Sequence, residues 1–333
     1  MPAIHPKDLF IQHTTTQYPI ICGAMYPCSN PELVAAVSAA GGIGIIQPIS
    51  LTYAHGYSFQ EGLDYISSLT DKPLGMNVIV EKSVKFYEKK MRSYVQLALQ
   101  AGIRFFVTSL GDPRWVCEMV ETFTQGSDQP GYVYHDVTEK KWAQKAIHSG
   151  VHGLIAVNKR AGGHAGRYSL AELYEQLADF SVPVVAAGGI ASHQSVQETL
   201  SLGYAGIQLG TRFIASQECN AHPHYKKALV KAQAEDILLS ERLTGVPVSV
   251  IATDELKAAG GKVSWLGRQL LQNRKTKHMA RAFYALRSMR SLPKASQTSS
   301  GLYQGYWQAG KSVADIHEIL PVKTIISHLM GSL

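Results

Sequence analysis

Residues 182–212 read VPVVAAGGIASHQSVQETLSLGYAGIQLGTR, and the plan of the fold is contained in them. An apolar run, Val182–Ala187, ends in Gly188-Gly189. A helix-like polar stretch follows and stops at Gly203. A second apolar run, Ala205–Leu209, then ends in Gly210-Thr211. Both runs are rich in Val, Ile and Ala without strict alternation, the mark of strands buried on both faces. A strand, a glycine loop, a helix and the next strand make one β/α unit.

The same unit repeats upstream. Further strands are expected at Ile20–Ala24, Ile43–Gln47, Leu74–Ile79, Arg104–Ser109, Tyr132–His135 and His152–Val157, which makes eight in all. The helices between them carry start and stop signals. Asn30-Pro31-Glu32 offers an N-cap, a proline at the first helical position and an acid in the first turn. Asp112-Pro113 repeats the device before 115–123, and Ser169 with Glu172 reads as a capping box for a helix to about Phe180. Gly41, Gly102, Gly150 and Gly203 fall where helices should end. Eight strands alternating with helices predict an α/β fold of the TIM-barrel type, (β/α)8. An open doubly wound sheet is disfavoured: its GxGxxG turn is missing, and the first strand–helix turn reads CGAMYP at 22–27.

After Arg212 the rhythm breaks. Residues 214–293 read as a mostly helical insertion after the eighth strand, clearest at 226–234 and 265–288, placed to cover the barrel mouth as a lid. Residues 294–301 (KASQTSSG) form a polar linker, and 313–330 has the spacing of a closing helix interrupted at Pro321. The barrel is therefore assigned to 1–213 and 294–333.

Composition sets the class. The chain has 333 residues, 45% apolar and 17% charged, with 32 basic and 25 acidic side chains for a net charge of +7. That balance suits a globular enzyme. The basic residues are dispersed apart from 268–290, without an aromatic-studded pattern, so no nucleic-acid partner is expected. No apolar run approaches the roughly twenty residues that span a bilayer, and 1–18 lack a signal-peptide layout. No membrane role is expected, and a cytoplasmic location is. Cys22, Cys28, Cys117 and Cys219 are scattered without a CxxC pair, so neither zinc nor a disulfide framework is suggested. Nothing beside Cys22 or Cys28 activates a thiolate.

Barrel active sites lie on the loops after the strands, with phosphates favoured after strands seven and eight. Here those loops begin AGGI at 187–190 and LGTR at 209–212. Glycine lets backbone amides approach a phosphate, and Thr211 adds a hydroxyl. The loop after strand six reads RAGGHAGR at 160–167. A histidine between glycines is presented by a tight loop with room for a ligand. An imidazole there suits proton abstraction or a hydrogen bond to an anion, which makes His164 the catalytic candidate. His222-Pro223-His224 lacks a nearby third ligand, so no metal is expected. Lys159, Arg160 and Arg167 either draw an anion to the mouth or are plain surface charges. Tyr303, Tyr306 and Trp307 either dock the closing segment or place one ring against the ligand.

AGGHAG at 161–166, AAGGI at 186–190, QLGT at 208–211, GMN at 75–77 and PIICGAM at 19–25 together resemble the nitronate monooxygenase family, formerly 2-nitropropane dioxygenases, over nearly the whole chain. The resemblance implies non-covalent FMN in a barrel with a helical lid. It implies phosphate contacts from Gly188, Gly189, Gly210 and Thr211, with Gln208 and Leu209 in the same segment. Gly162 approaches the cofactor from the histidine loop, Met25 and Asn77 lie near the isoalloxazine ring, and His164 is the base for neutral nitroalkanes. The chain departs from the family in two places. Many members carry Gln-Gly-x-Glu before AGGH where this chain has VNKR at 157–160, so the glutamine contact to flavin is missing or is taken by Asn158. Strand five ends Tyr134-His135-Asp136, where some flavin reductases of the group offer a lysine. His135 either approaches the flavin ring or caps the next helix with Asp136.

The implied activity is FMN-dependent oxidation of an alkyl nitronate, or a similar small anion, by O2 to a carbonyl compound and nitrite. The alternative is an NAD(P)H-dependent FMN reductase acting on a quinone, an enoyl-ACP or another enoyl thioester. A barrel retained only as a binding module is disfavoured by its intact glycine loops and histidine. Sequence leaves the oligomeric state open, a homodimer included.

Overall fold

The computed structural model describes residues 5–80, 85–241, 247–254, 256 and 307–331. Eight strands, β1 (Ile20–Cys22), β2 (Ile43–Ile46), β3 (Leu74–Ile79), β4 (Phe105–Ser109), β5 (Tyr132–Val137), β6 (Gly153–Val157), β7 (Val184–Ala187) and β8 (Gly206–Leu209), close into one parallel barrel in chain order. Gln208 closes the ring, paired with Ala187 on one side and Ile21 on the other. All eight expected strands are present, with ends moved by a residue or two.

Alternation along each strand sorts the side chains. Ile21, Ile43, Ile45, Phe105, Val107, Tyr134, Ile155, Val185 and Ala187 fill the barrel, while Ile20, Cys22, Ile46, Phe106, Leu154 and Ala186 join the core beneath the helices. Gly153 makes room for Tyr134: a Cβ there would stand 2.3 Å from the phenol ring. The outer ring comprises α2 (Pro31–Ala39), α3 (Phe59–Leu69), α4 (Lys85–Gln100), α5 (Arg114–Thr124), α6 (Lys140–His148), α7 (Leu170–Leu177) and α8 (His193–Ser201). The Ser169–Glu172 capping box is formed in both directions. Asn30 starts α2 differently from expectation, binding Glu32 and the Glu218 carbonyl through its side chain without capping the helix.

One element was not foreseen. Helix α1 (Pro6–Thr14) closes the bottom of the barrel. Its Phe10 is fully buried in the barrel interior, edge-on to Phe105 at 6.2 Å and Tyr134 at 5.9 Å. Burying that ring is worth about 1.5–3 kcal/mol.

Beyond β8 lie α9 (Thr211–Ile214) and α10 (Pro223–Lys231), then an antiparallel pair of strands, β9 (Ile237–Ser240) and β10 (Val248–Ile251). Sequence reading had this stretch within a mostly helical insertion. Short apolar runs such as VSVI carry no period that separates strand from helix. The expected helix at 265–288, the linker at 294–301, and Tyr303 and Tyr306 lie outside the described residues. The closing helix α11 (Val322–Met330) packs on α8 and α2. Pro321 does not interrupt it but begins it, and the Glu218 carboxylate accepts from Val322 N at 3.0 Å.

Candidate active site

The loops after β6, β7 and β8 converge at the barrel mouth, and Asn158 ties the first two together. Its amide N–H bonds the Ala187 carbonyl at 3.0 Å, and its side chain donates to Gly188 O at 2.8 Å while accepting from Arg160 N at 2.7 Å. Its carbonyl takes both Ala161 N and Gly166 N, each at 3.2 Å, which folds the loop into a closed ring around His164. The side chain of Asn158 is fully buried and bonds Gly188 and Arg160, so it holds the loop.

The glycines make close approach possible. Gly188 has φ +113°, and a Cβ on it would stand 2.6 Å from the amide nitrogen of Ala161. Gly189, at φ +77°, would place a Cβ 2.5 Å from Nε of Arg160, whose stem crosses it. Gly162 abuts the backbone of Ala309 and Gly310. Gly310 N donates to Thr211 Oγ1 at 3.0 Å, leaving the threonine proton free to donate elsewhere. Ser249 N of β10 bonds Gly163 O at 2.8 Å, so the segment after the barrel is stitched to the histidine loop. Trp307 stacks on Tyr225 at 5.6 Å, docking the returning chain as expected.

His164 keeps an exposed ring, yet the protein packed around it lowers its pKa by desolvation. A ring open on one side and walled on the others stands at the edge of a concavity. It is therefore neutral at pH 7 and able to accept a proton. Met25 lies against Gly210, its Sδ 3.4 Å from where a Cβ would be. Gln208 points inward beside Gly23, and its Oε1 is buried without a hydrogen-bond partner. Asn77 is buried, donating from Nδ2 to Val107 O at 3.1 Å.

Two expected cofactor contacts point elsewhere. His135 lies on the outer face of β5, because Tyr134 is inward and neighbours alternate. Thr108 Oγ1 donates to Tyr134 O at 3.0 Å and so accepts from His135 Nδ1 at 2.8 Å. Burial there holds His135 at a pKa of about 4. It neither reaches the mouth nor caps a helix; α6 starts after Glu139. The side chain of Leu209 likewise belongs to the outer core, and its carbonyl is taken by Gly23 N at 2.9 Å.

The same alternation turns Asp136 inward, a residue that sequence reading weighed only as a cap. Its Oδ1 is buried without a partner, and burial raises its pKa to about 7. The inward pair Tyr132 and Tyr134 was the signal that could have identified it.

Other candidates are accounted for locally. Arg167 pairs with Glu139 at 2.9 Å and Tyr168 OH at 2.7 Å. The His222 ring caps α10, accepting from His224 N at 3.2 Å. Among the described residues no three metal-ligating side chains gather. The four cysteines are buried and free, with Cys117 pushed up to about 12 by burial. No described helix is long and apolar enough to cross a membrane.

The fold and loops have known counterparts. The model of the family "Nitronate monooxygenase" matches residues 7–331. A probable nitronate monooxygenase of Staphylococcus aureus (strain JH9) is 25% identical over 279 residues, covering 72% of this chain and 76% of that protein. A (3aS,4S,5R,7aS)-5-hydroxy-7a-methyl-1-oxo-octahydro-1H-indene-4-carboxyl-CoA dehydrogenase of Rhodococcus jostii (strain RHA1) is 26% identical over 239 residues, covering 72% of this chain and 64% of that protein. The structure of FabK from Thermotoga maritima superposes with a TM-score of 0.77 at 25% identity, covering 97% of this chain and 94% of that one. That of a nitroalkane oxidase from Streptomyces ansochromogenes does so with a TM-score of 0.73 at 22% identity, covering 97% of both, and shows the shared fold. A family model that matches the barrel over nearly its full length, residues 7–331, places this chain in the nitronate monooxygenase family of flavin-dependent oxidoreductases.

Proposed function

We propose that the protein is an FMN-dependent nitronate monooxygenase, oxidising alkyl nitronates with O2 to carbonyl compounds and nitrite. The observation that carries this reading is a neutral His164 on a glycine loop at the edge of a mouth whose other loops are cut back to backbone. The residues fit the cofactor. Gly162, Gly188 and Gly189 leave no room for side chains of their own, and Gln208 Oε1 is a buried acceptor awaiting a donor. Amides of Gly188, Gly189, Gly210 and Thr211, with the Thr211 hydroxyl, would hold the phosphate, and Met25, Asn77 and Gln208 the ring end.

Bound FMN supplies the electron transfer between nitronate and oxygen. His164 removes the proton from carbon of a neutral nitroalkane, and the flanking glycines let the substrate approach the ring. The segment 214–293 is proposed as the cover of the mouth, consistent with the Ser249 bond to Gly163. A cytoplasmic location belongs to the same proposal.

The FabK likeness favours one second reading, a nicotinamide-dependent reductase of a quinone or an enoyl thioester. Mixing flavin-loaded protein anaerobically with a nitronate, and separately with NADH and NADPH, decides between them. Bleaching of the flavin by the nitronate alone is expected. Rapid bleaching by a nicotinamide alone would move the assignment to the reductase.

A further inference from the structure

Asp136 is the first inward residue of β5 above the packed interior, one step beyond Tyr134 on the same face. Register places it beside Ile155 of β6. Thr138, the next residue on that face, lies under the histidine loop: a Cβ on Gly166 would stand 3.5 Å from Thr138 Cβ. The residue keeps partial exposure, yet Oδ1 is sealed from solvent and meets no donor among the described residues. An unpaired carboxyl therefore stands on the wall of the mouth, below the loop that carries His164.

Buried carboxylates that serve the fold are paired or hydrogen-bonded, since an isolated buried charge is costly. Among the described residues, Asp136 Oδ1 has no such partner. Arg167, on the neighbouring loop, is committed to Glu139 and Tyr168. Asp112, after β4, accepts from Arg114 N and Ser149 Oγ. A carboxyl kept without a partner at the functional end of a barrel strand is better explained by a ligand that completes it.

We propose that Asp136 is a substrate-binding residue of this active site, its carboxylic acid donating a hydrogen bond to a negatively charged oxygen of the substrate. The identity of that oxygen rests on the nitronate reading; a nitronate oxygen and the enolate oxygen of a thioester would meet the acid alike. No bond is made or broken by Asp136. In its neutral form it offers one proton to an anion, whereas its ionised form would repel that anion in a poorly solvated site.

Burial raises the Asp136 pKa to about 7, so the acid is neutral below that pH and ionised above it. Of the other charged groups around it, His164 is held below its ordinary value and stays neutral above pH 7. Lys159 and Arg160 are the basic residues on the loop, and Glu139 is paired with Arg167 and Lys141. His135 faces the other side of the strand and is neutral. Between pH 7.5 and 9, Asp136 is thus the group whose charge state governs anion binding.

The test uses FMN-loaded protein and nitrate, a planar, singly charged oxyanion that mimics the nitronate group and is not consumed. Its dissociation constant is read from the flavin absorbance between pH 7.5 and 9. In the wild type, affinity should fall about tenfold per pH unit, because each bound anion requires one proton on the acid. Asp136→Asn keeps a donor but cannot ionise, and should bind nitrate with no pH slope while retaining FMN and a cooperative thermal transition. An equal slope in both proteins, or no nitrate binding by the wild type at pH 7.5, would overturn the proposal. Competition then separates the two oxygens. Displacement of nitrate by a nitronate supports both readings, whereas displacement by a saturated acyl thioester alone keeps Asp136 in its role and removes the nitronate assignment.

Discussion

The two ends of the barrel are built from the same strands and treat their polar groups in opposite ways. At the bottom, α1 plugs the opening and its groups find partners. Phe10 meets two aromatic rings, His13 stacks on Tyr132 at 3.9 Å and bonds Tyr134 OH at 3.0 Å, and His152 accepts from Val133 N at 3.1 Å. At the top, three loops are pared to glycine, and Gln208 Oε1 and Asp136 Oδ1 are buried without partners. The groups around the α1 plug are completed by protein, whereas Gln208 and Asp136 at the top are left for a ligand to complete. Substitutions at the bottom should therefore cost stability and leave ligand binding intact, whereas those at the top should change how the cofactor or the substrate is handled.

The largest effect is expected at the plug. Phe10→Ala should lose about 3–5 kcal/mol in denaturant unfolding, with the FMN dissociation constant of the folded protein unchanged. A concurrent loss of flavin affinity would break the division between the ends. Gly188→Val comes next. It forces a branched side chain into φ +113° and onto the Ala161 backbone, at about 1–3 kcal/mol for the strained backbone. Flavin titration should show FMN binding lost, although the protein still melts cooperatively. Normal FMN affinity would exclude this loop from the cradle.

Asn158→Ala should cost about 1–3 kcal/mol by leaving buried groups unpaired. The same change should loosen the histidine loop, seen as faster amide exchange at 160–166. Exchange rates like those of the wild type would show that Asn158 does not hold the loop.

The smallest effect distinguishes the ends by pH. Burial lowers His13 to about 4 and His152 below its ordinary value. Their stabilisation is present above pH 6.5 and is lost as pH falls toward 4. Asp136 has the opposite sign: raised to about 7, it favours the fold most below its ordinary 3.8, and that contribution is lost as pH rises through 7. His13→Phe should flatten the fall in melting temperature between pH 6.5 and 4.5, and Asp136→Asn should raise the melting temperature at pH 8. A change of the other sign in either variant would contradict the burial described.

What could be read from sequence follows from how each feature is written in it. The eight strands and the glycine loops were legible because period, composition and turn residues agree along the chain. The facing of β5 was not: His135 and Asp136 are adjacent, and one residue of register decides which enters the mouth. Asn158 was weighed as a flavin contact because its loop-holding bonds reach residues thirty positions away. Helix α1 was missed because a nine-residue segment with one buried phenylalanine carries little periodicity. The β9–β10 pair was not legible within the mostly helical reading of 214–293, because runs such as VSVI carry no period that separates strand from helix.

The central claim, that the top of the barrel presents His164 as a base to a flavin-bound nitroalkane, is tested most directly by one pair of rates. kcat/KM is measured for a neutral nitroalkane and for its preformed nitronate, in FMN-loaded wild type and His164→Ala. The account predicts a loss of about 10²–10⁴ on the nitroalkane, a much smaller loss on the nitronate and unchanged flavin content. Equal losses on the two substrates would contradict it.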